Sequence, residues 1–90
     1  MYQTRKMCVV SCRNSCHIDE IRDDLPEYKT YTEAKEWCLN DTKHECEDAT
    51  LAGVVKYLYE DEDVQRVYFD YEAINTDTNT IAYSKRIYYY

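Results

Sequence analysis

Between residues 51 and 73 the hydrophobic spacing changes from helical to extended, and this switch constrains the fold more than any other feature. Leu51, Val54, Val55, Leu58 and Tyr59 recur at i, i+3, i+4, i+7 and i+8, the stripe of an amphipathic helix. From residue 64 the period becomes two: Val67, Phe69, Tyr71 and Ala73 share one face, and Tyr68, Asp70 and Glu72 the other. Asn75, Thr76, Asp77, Thr78 and Asn79 have turn chemistry. Residues 80–90 then alternate again, with Ile81, Tyr83, Ile87 and Tyr89 on one face. The chain is expected to end in a β-hairpin that follows a helix.

Upstream signals are sparser. Thr30 and Glu33 form a capping box that opens a helix running to about Lys43, with Ala34, Trp37 and Cys38 on one face. Asp48 suits the N-cap of the second helix. Residues 5–12 read as a strand, although Cys8, Cys12 and Cys16 also fit a helical stripe. Ile18, Ile21 and Leu25 permit a short helix that stops before Pro26. The expected fold is a single α+β domain over residues 1–90. Its three-stranded antiparallel sheet is covered on one face by two helices, in the order β-α-α-β-β.

Size and composition exclude much. A chain of 90 residues buries roughly 60–65% of its unfolded surface and has no room for a separate catalytic domain. One glycine and one proline rule out glycine-rich phosphate loops. The polar start does not read as a secretory signal, and no run approaches the roughly 20 apolar residues that span a bilayer. A cytoplasmic chain is expected. Its five cysteines, an odd number, fit reduced thiols better than a disulfide framework.

The charge is unevenly placed. Ten acidic residues lie between Glu45 and Asp77 against only Lys56 and Arg66, a local charge of −8 in a chain of net charge −7. Such a field disfavours direct contact with nucleic acid or anionic lipid and favours a basic protein surface. Glu60, Asp61, Glu62 and Asp63 stand at the helix–strand corner, and Asp70 and Glu72 on the outward face of the hairpin. Tyr68 and Tyr71 add rigid aromatic contact area, Tyr71 with the parity of the core face. These eight residues form the expected partner-binding set.

Other chemistry is weakly encoded. Cys12, Cys16, His17, Cys38, His44 and Cys46 could supply a tetrahedral zinc site, but without the tight Cys-x2-Cys pairs of zinc knuckles. Nucleophilic catalysis by Cys16 with His17 or His44 would need the base held by a third group, and sequence neighbours such as Cys16 and His17 often point apart. Neither a metal nor another cofactor is expected, and no nucleophile, base and oxyanion donor can be assembled. In size, acidity and absence of catalytic motifs, the chain resembles the small inhibitors with which phages disable host defence, such as anti-CRISPR and anti-restriction proteins. That resemblance implies a non-enzymatic inhibitor that occludes the basic groove of a nucleic-acid-binding protein. The alternatives are a structural protein oligomerising through Tyr88, Tyr89, Tyr90 and the last strand, for instance as a homodimer, or a zinc-stapled regulatory module.

Overall fold

The computed structural model describes residues 1–22 and 24–90, with the side chains of all of these except 20–22 and 41–43. It is an α+β domain of two helices on one face of an antiparallel sheet. The sheet has five strands rather than three: β1 (Tyr2–Cys12), β2 (Cys16–Arg22), β3 (Glu27–Tyr28), β4 (Val64–Asn75) and β5 (Thr80–Tyr88). Helices α1 (Tyr31–Leu39) and α2 (Asp41–Leu58) and a 3-10 turn (Glu60–Glu62) separate β3 from β4. The strand order is β2-β1-β4-β5, with β3 paired to the start of β1 beyond the end of β2.

β1 takes the extended reading. Thr4, Lys6, Cys8, Val10 and Cys12 are buried on alternate positions, which a helix could not achieve. The region expected to form a short helix instead returns as β2. Cys12 N donates to Ser15 O at 2.8 Å to close the turn, and β2 pairs with β1 through Lys6–Arg22 to Ser11–Cys16. The helical spacing of Ile18 and Leu25 was misleading, because Ile18 is 56% exposed and lies on the uncovered sheet face opposite Val9. Ile21 belongs to that expected stripe too, but its side chain lies outside the described residues.

The Thr30 cap forms as expected: its Oγ1 accepts from Glu33 N at 3.3 Å and donates to Glu33 Oε1 at 2.8 Å. α1 stops at Leu39, short of Lys43, and α2 begins at Asp41, so Asp48 lies inside the helix rather than at its cap. The buried face of α2 is His44, Asp48, Ala52 and Val55, with Leu51 and Tyr59 half-buried beside it. Val54 and Leu58, expected in the core stripe, are 50% and 65% exposed.

The hairpin forms as the alternation requires, with Val67, Phe69, Tyr71 and Ala73 buried against the helices. One residue departs from it. The β4–β5 register shifts between Ala73 and Ile74, so Ile81 pairs with Ile74 and is 54% exposed instead of sharing the face of Tyr83 and Ile87. The core joins Cys8, Val10, Cys12, Ala34, Trp37, Cys38, Ala52, Val55, Val67, Phe69, Tyr71 and Ala73.

All five cysteines are free thiols, of which Cys16 and Cys46 are exposed. Burial pushes Cys38 up to about 11, with the Glu72 charge adding to the effect. A thiol-reactive chromophore at neutral pH should therefore titrate two cysteines in the native protein and the remaining three only after denaturation. Rapid reaction of all five would mean that the sheet–helix interface opens readily.

Candidate acidic docking surface

The acidic corner is built where α2 gives way to β4. The chain tightens into a 3-10 turn over Glu60, Asp61 and Glu62, and Asp63 adopts a left-handed conformation at φ 61°, with its N–H donating to Glu60 O at 3.1 Å. All four side chains are exposed. The β1–β2 turn clamps the corner in place. Arg13 N donates to Asp63 O at 3.0 Å, and Ser15 Oγ donates to Glu62 Oε1 at 3.1 Å. His17 Nε2 lies 3.0 Å from the same oxygen, and its ring stacks on Tyr59 at 4.6 Å. Tyr59 OH donates to Asp19 Oδ1 at 3.3 Å, which adds an exposed acid from β2 to the field. Among the described residues no cation pairs with Glu60, Asp61 or Asp63.

Ser15, His17 and Glu62 contain the residue types of a hydrolytic triad but not its geometry. Ser15 Oγ, at 3.2 Å, and Glu62 Oε1 meet the same ring nitrogen. A relay needs the carboxylate on one nitrogen and the nucleophile on the other, so this cluster is a brace.

The hairpin acids have a different environment. Tyr68, Asp70 and Glu72 do face away from the helices, but both carboxylates are neutralised directly across the sheet. Asp70 opposes Arg86 and accepts from its Nε at 2.7 Å and its Nη2 at 3.1 Å. Glu72 opposes Arg5, accepts from its Nε at 2.8 Å, and is 6% exposed. The Arg86 guanidinium lies 4.1 Å over the Tyr68 ring, and its bonds to Asp70 raise its already high pKa. This face is a ladder of paired charges and tyrosines, not an acidic surface.

Tyr71 is a correction to the expected set. It is fully buried, its hydroxyl donates to Asp48, and its ring stacks on His44 at 4.6 Å. Its parity places it with the helices, where no partner reaches it.

The cysteines and histidines expected as alternative metal ligands are dispersed. Cys12 and Cys38 are buried and Cys16 and Cys46 exposed, while His17 braces the corner and His44 lies beneath Trp37. Among the described residues no three His, Cys, Asp or Glu are grouped to hold a metal ion. Among the described residues no helix is long and apolar enough to cross a membrane.

Sequence reasoning missed an apolar surface beside the corner. Val54, Tyr57 and Leu58 are 50%, 71% and 65% exposed. The signal was present: six large apolar side chains between residues 51 and 59 exceed what one helix face can bury. An open groove of about 600 Å³ also borders the edge strand β5, lined by Glu45, Lys85, Arg86, Ile87, Tyr88 and Tyr89. Comparison of the chain with protein-family models, curated proteins and solved structures found no match.

Proposed function

We propose that this protein is a small, non-catalytic inhibitor that docks its acidic corner on the basic, nucleic-acid-binding surface of another cytoplasmic protein, in the manner of phage anti-defence inhibitors. One observation carries the reading. Glu60, Asp61 and Asp63 are left without a paired cation among the described residues and are held by a braced turn, whereas Asp70 and Glu72 are neutralised within the sheet. Pre-organised, unpaired carboxylates imitate the phosphate charges that Lys and Arg grooves recognise. The contact set therefore contracts from the hairpin to Glu60, Asp61, Glu62 and Asp63. Occlusion follows, because the bound domain occupies the space of the nucleic acid.

Reversing Glu60, Asp61 and Glu62 to lysine together is expected to weaken capture of such a partner by about 100-fold or more at low salt. The fold should remain intact, because the three side chains are exposed and the backbone bond from Arg13 N to Asp63 O still ties the corner when Glu62 leaves Ser15 and His17. Affinity measured by calorimetry across a salt series tests this; a triple variant that binds like the parent removes the corner from the interface.

The assembly reading retains one observation, the outer edge of β5, which pairs with no further strand among the described residues, with its bordering groove. The terminal rings themselves are engaged within the chain: Tyr88 beside Tyr68 at 5.3 Å, Tyr89 against Phe69 at 5.4 Å and Tyr90 under Lys56 at 4.1 Å. A sedimentation mass that rises with concentration would favour assembly over docking.

A further inference from the structure

Resting on the docking reading, we propose that the partner element engaged by this protein is a basic amphipathic helix lying along the exposed stripe of α2. Val54 and Leu58, one turn apart, continue outward from half-buried Leu51, and Tyr57 stands beside them at 71% exposure. This ridge runs along the axis of a helix, and a ridge of that form packs into the groove between side-chain rows of a second helix.

Charge identifies the occupant. Exposed Glu47 lies at one end of the stripe, and exposed Glu60 and Asp61 at the other. At about 1.5 Å per residue, the two acidic ends are on the order of 20 Å apart. The complement is a helix with an apolar centre and Lys or Arg at both ends. Helices that carry Lys and Arg toward the phosphate backbone are a common nucleic-acid-binding element, and an apolar stripe on such a helix is what the α2 ridge would cover. A second copy of this chain fits poorly: antiparallel pairing of two α2 stripes sets Glu47 against Asp61 at both ends, and parallel pairing sets each acid against itself. Anionic lipid and nucleic acid are repelled by the same carboxylates.

The probe is a synthetic helical peptide of about four turns. It carries leucines on one stripe and Lys or Arg elsewhere, bears a fluorophore for anisotropy, and is compared with poly-lysine as a charge-only control. The full chain should bind the peptide about tenfold or more tighter than poly-lysine per site, with amide shifts centred on Val54, Tyr57 and Leu58. Val54→Ser with Leu58→Ser should weaken peptide binding about tenfold and leave poly-lysine binding unchanged. Both positions are at least half exposed, so the double variant keeps its fold.

Equal affinity for peptide and poly-lysine, with an indifferent serine variant, overturns the inference. If the Glu60, Asp61 and Glu62 reversals still abolish both interactions, the acidic corner stands without it. If peptide binding at α2 survives those reversals, the corner reading fails instead. A parent dimer that becomes monomeric on the serine substitutions would assign the stripe to a second copy and overturn the proposal.

Discussion

Replacing Asp48 with alanine is expected to lower the unfolding free energy by about 3–5 kcal/mol, a large share of the roughly 5–10 kcal/mol available to a domain of this size. Asp48 is fully buried between α2 and the sheet. Its Oδ1 accepts from Lys6 Nζ on β1, and its Oδ2 from the Tyr71 hydroxyl on β4. Removing the carboxylate strands the ammonium of Lys6, a residue 7% exposed, with the Phe69 ring centroid 5.3 Å away as partial compensation. The cost comes from that unpaired charge and not from the net worth of the pair. Removing both ions together, Lys6→Met with Asp48→Leu, should therefore restore stability to within about 1–2 kcal/mol of the parent, the remainder being the Tyr71 hydroxyl left without its acceptor. Tyr71→Phe removes one donor and should cost about 1–2 kcal/mol. Urea unfolding followed by circular dichroism measures all three variants. An alanine variant within 1 kcal/mol of the parent would mean that water already reaches the pair.

The same site sets the sign of a pH effect. Burial pushes the Asp48 carboxyl up from 3.8, and the hydrogen bond and charge of Lys6 offset this only in part. The native state then holds a proton that the unfolded chain has released. Over the pH window just above 3.8, this group makes stability fall as pH rises, the reverse of a salt-bridged surface aspartate. Asp48→Asn should flatten that segment of the stability profile relative to the parent; an unchanged slope would place its origin in other carboxylates.

What the sequence disclosed was local, and what it concealed depended on residues distant along the chain. The β4–β5 hairpin and the Thr30 cap were legible because period-two alternation and a hydroxyl three residues before Glu33 are complete signals in themselves. β2 was not, because Ile18 and Ile21 carry helical spacing, and only the exposed edge of β1 makes the extended form favourable. Asp48 was misassigned for a related reason: aspartate is a good N-cap, and the ammonium that draws it inward lies 42 residues away. Likewise, Asp70 and Glu72 look like free acids until the register sets them opposite Arg86 and Arg5. The corner acids kept their expected exposure because their setting is a turn, where no cross-strand partner arises.

Trp37→Ala is expected to destabilise the fold by about 3 kcal/mol or more. Trp37 is 6% exposed on α1, with its ring 4.9 Å from His44 and 6.0 Å from Tyr71, and its carbonyl oxygen lies 3.1 Å from His44 Nε2. It therefore covers the side of the interface that holds the polar cluster. Truncation has two effects of opposite sign. Lost packing and the cavity left behind destabilise, while water admitted beside Tyr71 and His44 would hydrate Lys6 and Asp48 and lower their desolvation cost. The first should win, because the pair already has direct partners and gains less from hydration than an indole loses in contacts. Only the second depends on the ions, so a double-mutant cycle separates them. Trp37→Ala should cost more in the Lys6→Met, Asp48→Leu background, where no buried charge is left for admitted water to hydrate, than in the parent. Equal costs in the two backgrounds would show that Trp37 packs the core without shielding the buried pair.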